Sequence, residues 1–204
     1  MGALKRRKLL KPSGFDVKAL QLIRQNVRVH LRCLARRLPT PARILDVAPQ
    51  DWEGARSYFS NCRIDTLDVD PASGADFLAD ICANNRHLIP DNTYDLVVCT
   101  EVLEHVLRPW DAVAELFRIT RPGGFLLLTT PFNFRIHGPL PDCWRFTEYG
   151  LRELLKDWEI RSLVSLETPG RPLMPIHYVV VCSKPVAGRD LPEPPQRPSN
   201  WIGK

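Results

Sequence analysis

Between Arg43 and Thr130 the chain alternates between short runs that are almost wholly apolar and stretches with helical spacing. The runs are RILDV, RIDTLDV, YDLVVC and GFLLLTT. A strand with one solvated face shows apolar and polar residues in turn. A run that is apolar at nearly every position has both faces covered, as in a parallel sheet. Between the last two runs, DAVAELFRIT has its apolar residues at helical steps, and RPGG stops it. This alternation predicts an α/β fold built on a doubly wound, mostly parallel sheet. After a predicted helix at GLRELLKDW, the runs EIRSLVSL and IHYVVVC have no clear helix between them. They predict an antiparallel C-terminal edge.

Ahead of that body, Leu20, Ile23, Val27, Leu31, Leu34 and Leu38 recur at steps of three and four, the apolar face of one helix that Pro39 and Pro41 end. Arg24, Arg28, Arg32 and Arg36 form a second stripe at steps of four. Read plainly, it is a solvated face; read functionally, it meets an anionic substrate or a membrane surface. Residues 1–40 hold 11 of the 28 basic residues and one of the 23 acidic ones, leaving 17 bases against 22 acids in the rest. The expected organisation is a basic N-terminal helical segment over 1–40, a body over 41–184, and a Pro-rich tail over 185–204, extended or disordered. With 44% hydrophobic and 25% charged residues, the chain is not of the disordered class. No apolar run approaches a membrane span, and MGALKRRKLLKPSG lacks the apolar core of a secretory signal. The six cysteines form no CxxC pair, and Cys99 and Cys182 sit in apolar runs as buried thiols. The expected compartment is reducing and cytoplasmic.

In open α/β sheets ligands bind at the carboxyl ends of the strands. Acids gather there: Asp46 after the first strand, Asp68 and Asp70 after the second, Asp80 before the next, Glu101 after YDLVVC. Singly each is as well explained as a turn or cap residue. As a set they favour a nucleoside ligand.

The runs YDLVVCTEVLEHV and ELFRITRPGGFLLLTTPF complete a wider likeness. From Arg43 to about Val164 the chain resembles the class I S-adenosylmethionine-dependent methyltransferases, whose fold is Rossmann-like. IHGPLPDCWRFTEYGLRELL narrows this to a bacterial subgroup with an HGxPxDYWRFT segment, often found in glycan or secondary-metabolite biosynthesis. The resemblance implies S-adenosylmethionine as cofactor. It implies that Asp46 opens the loop around the methionine part and that Asp68 accepts from the ribose hydroxyls. Asp80 would hold the adenine amino group, Ile81 would pack on the ring, and Thr100 and Glu101 would face the methionine moiety. Where the family shows alternate glycines, this chain has Ala48, Gln50 and Trp52. Alanine can replace glycine where φ is negative. Glutamine brings an amide able to bond the cofactor carboxylate. Where the subgroup has tyrosine, this chain has Cys143.

Methyl transfer from a sulfonium needs an aligned nucleophile and excluded water. A hydroxyl acceptor also needs its proton removed. The candidate base is His137, with Asp142 orienting it or serving in its place, in a segment stiffened by Pro139 and Pro141. Trp144 could stack on a sugar or ring, and Arg145 could clasp a carboxylate or phosphate. Alternatively Trp144 and Phe146 anchor the loop and Arg145 pairs with an acid. His105, at the expected start of a helix, faces the substrate or serves as a cap or packing residue. The five histidines show no ligand spacing such as HxxxH, so no metal site is expected. The helix of residues 15–38 is expected to cover the acceptor pocket rather than join the core.

Three functions compete. One is methylation of a small molecule, most readily an oxygen of a sugar or natural-product intermediate. The second is nucleic-acid methylation, with the basic head on phosphates. Against it, TEVLEH stands where an NPPY-type tetrad would be, and the body is acidic. The third is a non-catalytic binding partner, which the glycine-poor loop favours.

Overall fold

The computed structural model describes residues 11–49 and 54–186. Gln50, Trp52, the basic first ten residues and the tail from residue 187 lie outside these. Helix α1 spans Gly14–Ala35. Strands β1 (Arg43–Val47), β2 (Arg63–Asp68), β3 (Phe77–Leu78) and β4 (Tyr94–Thr100) follow. Then come α2 (Pro109–Ile119), β5 (Thr120–Pro131), α3 (Glu148–Leu154), β6 (Glu159–Thr168) and β7 (Arg171–Ser183). The strands form one sheet in the order β3-β2-β1-β4-β5-β7-β6. Pairing is parallel from β3 to β5 and antiparallel at β5–β7 and β7–β6. The predicted sheet and its antiparallel edge are both present.

Residues of alternating parity divide the core between the two faces of the sheet. Leu45, Val97, Cys99, Leu126, Leu128 and Val180 pack with Ala112, Val113 and Leu116 of α2 and Leu151 of α3. Ile44, Leu96, Val98, Leu127 and Val179 point the other way and meet Val27, Leu31 and Leu38. The first helix is therefore core, not a lid, along its second half. Its apolar face also runs through Ala19 rather than Leu20, which is 38% exposed. Ala19 and Ile23 pack on Ile176, with Phe134 and Leu166 beside them. Ser13 caps the helix: its Oγ accepts the Asp16 N–H at 3.2 Å, and Asp16 Oδ2 accepts the Ser13 N–H at 2.8 Å. In the arginine stripe, Arg24, Arg32 and Arg36 are exposed and Arg28 is half-buried.

Two local expectations change. The connections from β2 to β3 and from β3 to β4 are turns rather than helices. RPGG does not merely stop α2; it opens β5. A Cβ on Gly124 would lie 2.9 Å from the Arg121 carbonyl and 3.0 Å from that of Tyr94, so the irregular pairing at the start of β5 requires glycine there.

Candidate functional site

The carboxyl ends of the parallel strands share one edge. Because β7 runs antiparallel, the residues early in it reach the same edge, with His177 opposite Pro131. At the end of β1, Asp46 is buried, and its Oδ2 accepts the Ala55 N–H at 2.6 Å. It thus ties the two ends of the glycine-poor loop together. Burial pushes this carboxyl up to about 6, against the pull of the Ala55 N–H and Arg56. Ala48 has φ +50, the conformation that favours glycine, and its N–H donates to the Leu67 carbonyl at 2.7 Å. The expectation of negative φ at Ala48 is corrected: the turn keeps its glycine geometry without the glycine. Gly54, at φ 52 and ψ −166, holds the backbone setting that only glycine adopts readily.

Asp68 ends β2, buried; its Oδ1 accepts the Asp70 N–H at 2.8 Å, and its Oδ2 accepts no hydrogen bond among the described residues. Asp80, exposed, accepts the Cys82 N–H, and the adjacent Ile81 is buried.

Thr100 is buried at the end of β4. The next residue, Glu101, also has positive φ, at +56. Its Oε1 lies 2.7 Å from His177 Nε2 and accepts the Thr129 hydroxyl at 2.8 Å. The Asn26 amide of α1 lies 3.2 Å from His177 Nδ1. An amide N–H can only donate, so Nδ1 accepts and the proton resides on Nε2, facing Glu101. Burial alone would raise the Glu101 carboxyl; His177 and Thr129 outweigh it and hold the group below its ordinary value. Nothing in the local sequence marked Asn26, Thr129 or His177 as part of this edge.

The segment after β5 folds back over the edge. The Cys143 and Trp144 N–H groups donate to the Glu104 carbonyl at 2.7 and 3.2 Å. Trp144 Nε1 donates to the Val106 carbonyl at 2.8 Å, and its ring stacks on Phe146. Arg145 bonds both oxygens of Asp142, at 2.5 and 2.8 Å, and the carbonyls of Trp144, Phe134 and Arg135. The forked end of Arg145 and the indole N–H of Trp144 thus both meet groups of the protein itself.

The fold brings His137 and Asp142 together. Asp142 Oδ2 accepts the His137 N–H at 2.9 Å and lies 3.1 Å from its Nδ1. Burial would raise the Asp142 carboxyl, but Arg145 holds it below its usual value. His105 sits in a turn, not at the start of a helix; α2 begins only at Pro109. Its Nδ1 lies 3.0 Å from the Pro141 carbonyl. Its ring meets that of His137 edge-on, 4.8 Å between centroids. Between them is the residue that sequence reading passed over. Glu104 is 0% exposed, and neither carboxylate oxygen has a hydrogen-bond partner. Burial, then the nearby Glu101 charge, raises its carboxyl well above the ordinary range.

Residues 55–128 match the methyltransferase domain family. An uncharacterized methyltransferase of Mycobacterium ulcerans is 44% identical over 41 residues, 20% of this chain and 16% of that protein. A ubiquinone biosynthesis O-methyltransferase of Burkholderia cenocepacia is 47% identical over 38 residues, 19% of this chain and 16% of that protein. The matched stretches thus span about a sixth of these relatives. Among solved structures, the N-methyltransferase NodS of Bradyrhizobium japonicum superposes with a TM-score of 0.61 at 14% identity, covering 80% of this chain and 97% of that one. No helix among the described residues is long and apolar enough to cross a membrane. The family match is confined to residues 55–128, and the likeness to NodS is one of fold, a Rossmann-like sheet with an antiparallel C-terminal edge.

Proposed function

We propose that the chain methylates a small molecule, most readily at a hydroxyl oxygen of a sugar or natural-product intermediate, with S-adenosylmethionine as donor. The cofactor supplies an already activated methyl group. One observation carries the reading. The segment after β5 folds back to set His137, held by Asp142, 3.8 Å from Glu104, just past the end of β4. Asp68 and Asp80 bind the nucleoside end, and Ile81 packs on its ring. Glu101, locked between His177 and Thr129, shapes the methionine end. A proton on Nδ1, which faces the Arg135 carbonyl at 3.3 Å with Asp142 Oδ2 at 3.1 Å, leaves His137 Nε2 free to draw the acceptor's proton. Phe134, edge-on to His137, helps to exclude water.

The O-methyltransferase of Burkholderia supports an oxygen acceptor; the N-methyltransferase of Bradyrhizobium shares only the fold. A calorimetric titration with S-adenosylhomocysteine tests the reading. Binding is expected at micromolar affinity or better. Absence of binding to folded protein would leave the non-catalytic alternative standing. Mass spectrometry of candidate acceptors after incubation with S-adenosylmethionine then identifies the methylated class.

A further inference from the structure

We propose that Glu104, His105 and His137 form a binding site for a divalent transition-metal cation, through one carboxylate and two imidazole Nε2 atoms. Glu104 is fully buried, yet neither of its oxygens has a donor. An orphaned buried carboxylate is costly unless a cation or a donor meets it. What faces it is not a donor. His105 Nε2 stands 3.7 Å from Glu104 Oε1, and His137 Nε2 stands 3.8 Å from the same oxygen. Both gaps are too long for hydrogen bonds. One ligand atom from each residue lies within 4.8 Å of the other two. A cation at about 2.0–2.2 Å from nitrogen and oxygen ligands would draw such a trio slightly closer.

The outer shell is also in place. The Nδ1 of His105 lies 3.0 Å from the Pro141 carbonyl, and that of His137 lies 3.1 Å from Asp142 Oδ2. Both partners are acceptors, so each Nδ1 carries the proton and each Nε2 keeps its lone pair. Ligating histidines are oriented in this way, by an acceptor on the far nitrogen. Two imidazoles and one carboxylate suit zinc, manganese, iron or cobalt rather than magnesium or calcium, which prefer oxygen. The two imidazole side chains are 12% and 24% exposed, so they are not wholly sealed from solvent. Sequence spacing does not show this set, because His137 arrives from 32 positions beyond His105 through the fold-back of the segment after β5.

This inference deepens the proposed function and rests on it for its catalytic meaning. With a cation present, the acceptor hydroxyl would lose its proton more readily by ligation, and His137 would serve as ligand instead of free base. The test is titration of the chelator-treated full chain with Co2+, read by visible absorption, with Zn2+ as competitor. One equivalent is expected. Glu104→Gln, His105→Ala and His137→Ala should each weaken binding roughly 30-fold or more, while His87→Ala, an exposed histidine elsewhere, should not. No binding, or binding unmoved by all three variants, overturns the site. Should the variants fail to fold, proton NMR of the Co2+-loaded wild type decides. Two exchangeable, hyperfine-shifted imidazole N–H signals are expected, and none or one overturns it. Titration with S-adenosylhomocysteine keeps the two readings apart. If it binds and Co2+ does not, the cation site falls and the methyltransferase reading stands. The reverse outcome does the opposite.

Discussion

Ala48 occupies a conformation in which a Cβ crowds the following carbonyl, and the turn is held there by its N–H bond to Leu67. The left-handed setting costs a non-glycine residue about 1–2 kcal/mol. Glycine costs about 0.5–1 kcal/mol more than alanine in lost chain freedom. Relief outweighs that loss, so Ala48→Gly should stabilise the protein by about 0.5–1 kcal/mol and raise Tm by a few degrees. A lower urea midpoint in the variant would show that the turn is not strained. Asp46 makes a second residue-level prediction. Its folded pKa is raised to about 6, so the protonated form is the one the fold favours. Its contribution is fully present below about pH 4 and is lost as pH rises through about 6, a change of about 3 kcal/mol. Asp46→Asn keeps an oxygen for the Ala55 N–H and removes the titration. The variant's stability relative to wild type should therefore rise between pH 4 and pH 7. Equal pH slopes in the two proteins, by urea denaturation, would contradict the burial argument. Asp68→Ala should weaken S-adenosylhomocysteine binding by about 30-fold through the loss of two charge-assisted hydrogen bonds; unchanged affinity in folded protein would move that role to Asp70.

Among the elements, α1 departs furthest from expectation. Its periodic apolar residues identify a helix, but periodicity alone does not say which surface the face meets. Leu31 is fully buried against the sheet, while Leu20 is 38% exposed. Leu31→Ala should cost about 2–5 kcal/mol and Leu20→Ala under about 1 kcal/mol. If Leu31→Ala instead left stability intact and lowered acceptor turnover, the helix would act as a lid. The strands β1, β2, β4 and β5 were legible because burial on both faces leaves near-continuous apolar text. Strand β3 was not, since two residues carry no period. In the site, the His137–Asp142 proximity was legible because only four residues of proline-bearing loop separate them. Glu104 was not: a glutamate in VLEH looks like a solvated charge until the fold-back of residues 143 and 144 onto its carbonyl seals it in. The contacts of Trp144 and Arg145 depend on carbonyl positions that no spacing reveals.

Across the whole molecule, three parts distant in sequence are joined at the ligand edge. The first helix supplies Asn26, the antiparallel β7 supplies His177, and Glu101 follows β4. The helix is thereby core through its apolar face and connected to the carboxyl edge of the sheet through one polar residue. Asn26 and Glu101 share no hydrogen bond; each bonds His177, which is 0% exposed. In a buried network each bond fixes the geometry of the next, so removal of one member changes what the other is worth. A double-mutant cycle of Asn26→Ala and Glu101→Ala, measured as unfolding free energy, should therefore give a coupling of about 0.5–3 kcal/mol. The same cycle in a His177→Phe background should lose that coupling, because the imidazole meets both side chains, one at each ring nitrogen. Additivity within about 0.5 kcal/mol in the wild-type background would mean that the two bonds are independent. The head helix would then be tied to the site by packing alone, through Ala19 and Ile23 on Ile176.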